Sequence, residues 1–256
     1  MCGRYHLTED PHAALATSGI VEATTGRPPF EPRYNIAPSE PPAAPGSTRR
    51  TPPRTTRVPI ARASDARAVV EDALWPLVPL WANGEVTRYS TANARAETMR
   101  EGRTYRHAWE HGQRCLVPAT GFYEWQDAGE RTKQPWSIEP LNEDLFTFGG
   151  LWETSRRADG TPVLSFTIVT VPANPLMREI HNAGKNRHRM PLIVDADARE
   201  AWLGGDGAGA DALIAPYPAD EMRARPVGRA VNNPGLDEAR VLKTADGGAS
   251  SSGADG

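Results

Sequence analysis

Residues 114–126 read RCLVPATGFYEWQ, two apolar runs of strand length separated by Thr120. Three further runs of this kind follow, LFTFGGLWE (145–153), SFTIVTV (165–171) and MPLIVD (190–195). Short runs rich in Val, Ile, Phe and Trp are typical of buried strands. The pattern therefore predicts a core made mainly of β structure.

Helices are predicted between and around these strands. Strands in hairpin-like succession with a few helices favour an α+β domain over a parallel wound sheet. No dinucleotide, Walker, HExxH or CxxC motif occurs. The expected helices are TEDPHAALA with Thr8 as its cap, a segment around 100–112, NPLMREIH (174–181), and DADAREAWLG (195–204) capped by Asp195 or Asp197 and ended by Gly204.

The length of 256 residues suits one generous domain, which we place at residues 1–243. Residues 38–60 are rich in Pro, Ser and Thr, and we interpret about 40–57 as an insertion, with a short strand near Val58. Residues 244–256 are small and polar, so a disordered tail is expected there.

The composition limits the compartment and the partners. No apolar stretch approaches the roughly 20 residues that a membrane span needs, and two cysteines cannot form a disulfide framework. A cytoplasmic monomer is expected, without a metal or another cofactor. The net charge of -3 argues against long-range steering toward nucleic acid, but the cations are almost all arginine, which suits local phosphate contacts.

Cys2 occupies an unusual position. Removal of Met1 before a small residue would leave a free α-amine and a thiol on adjacent carbons, a 1,2-aminothiol. An α-amine is substantially neutral near pH 7 to 8 and attacks aldehydes to give a Schiff base. The neighbouring thiolate would then close a five-membered thiazolidine ring, helped by its high effective concentration. A cysteine near a frayed terminus is the simpler reading of this residue alone.

Other residues with suitable chemistry are weak candidates singly. Glu124 lies among aromatic residues in GFYEW, where partial desolvation would raise its pKa for acid/base work, unless it faces outward. His181 and His188 could shuttle protons near neutrality. In NARAET, Asn93 offers an orienting amide and Arg95 an anion clamp, with Glu97 as a structural partner for an arginine.

Two further sites are judged structural. His107 and His111 are four residues apart and would share a helix face, but no third metal ligand has the expected spacing. A solvated helix face is the better interpretation. Cys115 lies inside an apolar run and is predicted to be a buried small hydrophobic residue.

Taken together, these segments resemble the SOS-response-associated peptidase family. The ordered set spans nearly the whole chain except the Pro-rich insertion and the tail, and it begins at residue 2. The matching segments are MCGRY at the start, RYNIAPS (33–39), WPLVPLW (75–81), NARAET (93–98), RCLVPATGFYEW (114–125), TIVT (167–170), IH followed by RMPLIV (180–194), and VGRAVNNP (227–234).

The resemblance implies a compact domain built on a curved, barrel-like mixed sheet, and a sensor of abasic sites in single-stranded DNA. In such a protein Cys2 would form a thiazolidine crosslink with the opened sugar. Asn93 would position the Cys2 terminus or the sugar, Glu124 would act as the acid/base, and His181 would assist ring opening and reversal. The same Cys2 and Glu124 would remove Met1 if that step is autoproteolytic.

The resemblance also implies a DNA groove. Arg4, Arg95 and Arg189 would contact phosphates. Independently of the resemblance, single-stranded DNA needs aromatic platforms, which Trp75, Trp81 and Trp125 could supply, with at least some of the three expected to be ordinary core tryptophans. Two departures stand out: relatives often have WGLVP where this chain has WPLVP, and AGKNRH separates IHN from RMP, which keeps His188 as an alternate to His181. The alternatives are an N-terminal-nucleophile cysteine hydrolase and a DNA-binding module without chemistry.

Overall fold

A computed structural model of the chain describes residues 3–22, 26–41, 54–64, 67–129, 132–204 and 207–245. Cys2, most of the predicted insertion and the tail from residue 246 lie outside the described residues. The described residues form these strands: β1 (Tyr5–Leu7), β2 (Arg33–Ile36), β3 (Arg57–Ser64), β4 (Arg67–Leu74), β5 (Asn93–Arg95), β6 (Arg114–Ala119), β7 (Gly121–Gln126), β8 (Gln134–Pro140), β9 (Phe146–Arg156), β10 (Pro162–Pro172), β11 (Arg189–Pro191), β12 (Ile193–Val194) and β13 (Met222–Pro226).

Short helices connect the strands. Each α-helix has only one or two turns, so packing against the sheets rather than intrinsic propensity must hold it in place. A single-turn 3₁₀ helix at Arg229–Asn232 lies near the end of the domain. The α-helices are α1 (Pro11–Thr17), α2 (Arg106–Glu110), α3 (Pro175–Ile180), α4 (Arg199–Gly204) and α5 (Gly207–Ala212).

Five strands close into a barrel in the order β4, β3, β6, β9 and β10. The ring closes because β10 pairs with β4 in parallel, with Ser165 opposite Leu74, while the other pairs of the ring are antiparallel. Phe148 and Phe166 are fully buried, as expected where alternate side chains fill the interior of a small barrel. The predicted α+β domain with a curved, barrel-like mixed sheet is confirmed.

A second, antiparallel sheet has the strand order β13, β8, β7, β1 and β2. The chain passes from the barrel to this sheet at Thr120, directly between β6 and β7. The buried His6 ring on β1 lies at this junction, with its Nδ1 2.8 Å from the hydroxyl of Thr120. A methyl group on Gly121 would come within 2.3 Å of the His6 ring, so only glycine lets β1 and β7 pair here.

The predicted strands at 114–119 and 121–126 match β6 and β7 to the residue. The run 190–195 is instead divided between β11 and β12, because β11 pairs with β10 whereas β12 pairs with β9. The helix predicted around residues 100–112 is shorter in the structure, where only α2 (Arg106–Glu110) is helical.

Thr8 as the cap of the first helix is wrong. The side chain of Asp10 accepts hydrogen bonds from the backbone N–H groups of His12 and Ala13, and Pro11 occupies the first turn. A carboxylate followed by proline is a favourable helix start. Thr8 bonds Thr120 instead.

None of the helices in the described part of the chain has the length and apolar character that crossing a membrane requires.

Candidate active site

Glu124 lies in the middle of β7, between neighbours β1 and β8. Although strand alternation left its direction open, the side chain turns inward and is only 3% exposed. A buried carboxyl group loses solvation of its charged form, which is the environment expected of an acid/base group. The prediction of a desolvated Glu124 is therefore consistent with the structure.

His181 is placed opposite Glu124 by the end of α3. Asn174 starts this helix by accepting a hydrogen bond from the backbone of Met177 at 2.8 Å, and Pro175 follows in the first turn. The helix ends at His181, whose backbone N–H donates to the carbonyl of Met177. The capped helix α3 thus places the His181 imidazole next to the buried Glu124 carboxyl group.

The tautomer of His181 follows from its hydrogen bond. Its Nδ1 lies 3.0 Å from the backbone carbonyl of Arg189, an acceptor only, so Nδ1 carries the proton and donates. Nε2 then faces the Glu124 carboxyl group at 3.9 Å. Burial lowers the pKa of His181, and the Glu124 carboxylate opposes this by raising it. The ring is therefore held mainly as a neutral base beside a carboxyl group.

An open cavity of about 490 Å³ lies in front of this pair. Four predicted site residues meet there: Arg4, Glu124, Trp125 and His181. The sequence-based prediction missed Lys133, just before β8, and Asn232, in the VNNP segment. The lining residues are Arg4, Glu124, Trp125, Lys133, His181, Ala183 and Asn232.

Arg4 is held in place by backbone and side-chain acceptors. Its Nη1 donates to the Asn35 side chain at 2.9 Å and to the carbonyl of Val231 at 2.6 Å. The guanidinium carbon lies 5.8 Å from the centre of the Trp125 ring. Burial and the nearby Arg54 lower the pKa of Arg4, and its charge favours an anion entering the cavity.

The buried Asn35 joins the wall of the cavity to the core. Its amide donates to the carbonyls of Val231, Asn233 and Leu236, which fastens the C-terminal segment against β2. In the same segment, Asn232 accepts a hydrogen bond from the Trp125 indole at 2.7 Å. With the bond from Arg4, four hydrogen bonds on the Asn35 side chain join the RYNIAPS segment to the N-terminal and C-terminal parts of the domain.

Asn93, Arg95 and Arg189 lie on neighbouring strands of the barrel sheet rather than around the cavity. Asn93 on β5 is opposite Ile168, and Arg95 bonds Asn186 in the loop that follows His181. Arg189 forms a two-pronged pair with Glu97, at 2.7 and 2.8 Å, and this pair lowers the pKa of Glu97. The predicted structural role of Glu97 is confirmed.

The three candidate tryptophans have different environments. Trp75 is completely buried, stacks on Phe166, and donates its indole N–H to the carbonyl of Ala92, so it is a core tryptophan and not a stacking platform. Trp125 lines the cavity. Trp81 is 39% exposed and belongs to a separate surface cluster, in which it stacks on Tyr89 and beneath the guanidinium of Arg103.

His188 is exposed, with a left-handed backbone conformation (φ 58°), and its N–H donates to the carbonyl of His181. It shapes the loop after His181 and does not line the cavity. Cys115 is buried, and burial raises the pKa of its thiol, as expected of a structural cysteine. In the described ranges, His107 and His111 belong to no group of three metal-binding side chains.

Several known proteins are similar to this chain in sequence. Residues 1–234 match the family model described as SOS response associated peptidase (SRAP). The chain is similar to YoqW of Bacillus subtilis (strain 168), named an abasic site processing protein, with 32% identity over 248 residues covering 95% of this chain and 100% of that protein. HMCES of Xenopus tropicalis, also named an abasic site processing protein, is 33% identical over 67% of this chain and 56% of its own length.

Solved structures share the fold. A crystal structure from Bacteroides thetaiotaomicron has a TM-score of 0.64 at 28% identity and covers 74% of this chain and 82% of that chain. A crystal structure from Bordetella bronchiseptica has a TM-score of 0.70 at 24% identity and covers 89% of this chain and 100% of that chain. Since the family model extends over most of the chain, this protein belongs to the SOS response associated peptidase (SRAP) family.

Proposed function

We propose that this protein processes abasic sites in single-stranded DNA by forming a covalent link through Cys2 after loss of Met1. The observation that carries the proposal is the buried Glu124–His181 pair, which lies in a cavity bordered by Arg4 and Lys133. Cys2 lies outside the described residues, two positions before Arg4 in the chain. The names of the relatives supply the substrate class.

The proposed chemistry needs no oxidant or reductant. His181 and Glu124 relay protons as the cyclic sugar opens to its aldehyde. The neutral α-amine of Cys2 attacks this carbonyl carbon, and loss of one water gives an imine. The thiol sulfur then adds to the same carbon while its proton passes to the nitrogen, which closes the thiazolidine. Aldehyde and aminothiol thus combine with release of one water.

The remaining residues are assigned by position. Arg4 and Lys133 attract the phosphates that flank the lesion, and Trp125 offers an aromatic surface beside the opened sugar. Asn93 is proposed to orient the Cys2 terminus or the sugar. Arg95 and Arg189 are proposed to contact the strand farther along, with Glu97 holding the Arg189 fork. Trp81 is proposed to stack on a more distant base.

The central test is whether the protein forms an adduct with abasic DNA that is stable to salt and heat. Purified protein mixed with an oligonucleotide containing one abasic site should give an adduct that survives denaturation, and peptide mapping should place it on Cys2. Intact mass should show that Met1 is absent. Cys2→Ala keeps an α-amine but has no thiol, so it should give only an imine that borohydride traps. A stable adduct from Cys2→Ala would overturn the proposal.

The histidine assignment is tested separately. His181→Ala should slow crosslinking or its reversal while DNA binding is retained, and His188→Ala should have the smaller effect. A larger effect of His188→Ala would reverse the assignment. The alternative of an amide hydrolase predicts turnover of small amides in the absence of DNA, which the proposed aldehyde chemistry does not.

A further inference from the structure

Glu124 and His181 come from distant parts of the chain, one in the middle of β7 and the other at the end of α3. Their facing atoms are 3.9 Å apart, too far for a strong direct hydrogen bond. A proton relay at this separation depends on how accurately the two elements are held. Misplacement of reacting groups by about 1 Å can cost on the order of 100-fold in rate.

Asn182, the residue after His181, connects these two elements. Its side-chain oxygen accepts a hydrogen bond from the backbone N–H of Asp127 at 2.9 Å. Its side-chain N–H donates to the backbone carbonyl of the same residue, also at 2.9 Å. Asp127 directly follows β7, three positions after Glu124. Both ends of one amide are therefore fixed to one backbone unit, which restricts sliding and rotation.

A second contact lies one residue earlier on β7. The Gln126 side chain donates to the carbonyl of Glu179 in α3 at 3.2 Å. Its oxygen accepts from the Trp136 indole at 3.0 Å, which orients the Gln126 amide from β8. Two successive residues of the strand end are thus bonded to the end of the helix that carries His181.

We propose that Asn182 is a positioning residue, which keeps Glu124 and His181 at a working separation by joining the end of β7 to the end of α3. This inference rests on the proposed function of the cavity. The Asn182 side chain has both the acceptor and the donor that the two Asp127 backbone groups require. Alanine bonds neither, and aspartate keeps the acceptor but loses the donor.

The kinetic test compares wild type with Asn182→Ala, Asn182→Asp and a control, Asn142→Ala. Asn142 is an exposed asparagine two residues after the end of β8. Crosslinking is measured in single turnover with an abasic oligonucleotide. We expect Asn182→Ala to lower the rate at saturating DNA by about 10-fold or more, with an unchanged half-saturating DNA concentration. The rate of Asn182→Asp should lie between those of wild type and Asn182→Ala, and the rate of Asn142→Ala should equal that of wild type.

The second readout is the titration of the His181 imidazole by NMR, which requires no DNA. Among the described residues, Glu124 and Lys133 are the charged groups that act on this ring. Burial is the main cause of its lowered pKa and the Glu124 carboxylate opposes it, so changing the packing of this contact should shift the midpoint in Asn182→Ala. Asn142→Ala should leave the midpoint where wild type has it.

The outcomes separate the two proposals. An unchanged His181 midpoint in Asn182→Ala, or a rate loss matched by an equal loss of DNA affinity, would overturn the positioning role while the function stands. A wild-type protein that forms no adduct would overturn the function, and the NMR titration would still decide the role of Asn182. Thermal unfolding of each variant identifies global destabilisation, and the isosteric Asn182→Asp variant decides the matter if Asn182→Ala fails to fold.

Discussion

The buried His6 should make this protein sensitive to mild acid. Its ring nitrogens lie 2.8 Å from the Thr120 hydroxyl and 3.2 Å from the Ser137 hydroxyl, so one imidazole links β1 to the junction between β6 and β7 and to β8. Burial lowers the pKa of His6 from 6.5 to about 3, and the charge of Arg225 acts in the same direction. The folded protein therefore keeps this ring neutral.

The direction of the pH effect follows from proton counting. Below about pH 6.5 the unfolded chain protonates His6, whereas the folded protein does so only near pH 3. Between these values the unfolded state holds the extra proton, so the free energy of unfolding decreases as the pH falls. The loss is roughly 1 kcal/mol for each pH unit, and over the whole window it reaches several kcal/mol. That is a large part of the roughly 5–15 kcal/mol typical of a domain.

Urea unfolding followed by tryptophan fluorescence, at several values between about pH 7.5 and about pH 4.5, measures this effect. His6→Gln keeps hydrogen-bonding groups but does not titrate, so its stability should fall less steeply with acid than that of wild type. His12→Gln is the control. Burial lowers the pKa of His12 as well, but its side chain is only partly buried, whereas His6 is buried in the core. The His12→Gln substitution should therefore change the slope of unfolding free energy against pH less than His6→Gln does.

Equal slopes for wild type and His6→Gln would show that His6 is not a buried neutral ring, and the junction between β1 and β7 would need another explanation. A shallower slope for His6→Gln would also concern the cavity, because β1 directly follows Arg4, which lines it.

Three further predictions concern the cavity and its wall. Glu124→Gln should slow crosslinking by about 100-fold or more with DNA retention unchanged, because an amide cannot exchange the proton; single-turnover rates and filter binding check this. Lys133→Ala should weaken DNA binding and reduce the slope of log affinity against log salt by about 0.7, the contribution of one phosphate contact on a single strand. An unchanged slope would exclude that contact. Asn35→Ala should cost about 2–4 kcal/mol in urea unfolding, since three carbonyls and Arg4 lose a buried partner; a loss below about 1 kcal/mol would contradict its role.

Several features of the fold were predictable because they depend on local pattern. The segment 114–126 reads as two strands because continuous apolar runs with aromatic and β-branched residues favour buried β structure, and β6 and β7 begin and end where predicted. The segments of α3 and α4 were also predicted to be helical, but Asp195 makes no capping hydrogen bond and Gly204 is the last residue of α4. The cap of α1 was misplaced because Thr8 and Asp10 are both good caps; Pro11 directly after Asp10 was the local signal that favoured Asp10.

The site was predictable in part. Arg4, Glu124, Trp125 and His181 were all named from the sequence, and they share one cavity. Trp75 and Trp81 belong to one motif, yet one is buried and the other exposed, because the fold turns the chain between them. His181 was preferred to His188 from the sequence, and the structure adds that it is the His181 ring which faces Glu124.

The sequence by itself determined the β-rich domain, the family, and the residue types that chemistry requires, since each is written in local patterns and in the order of motifs. Tertiary structure alone decided which histidine faces Glu124, which tryptophan is exposed, and that Lys133, Asn232, Asn35 and Asn182 border or brace the cavity. The physical reason is that these roles depend on hydrogen bonds and burial between segments far apart in the chain. Such contacts leave no periodic trace in a single sequence.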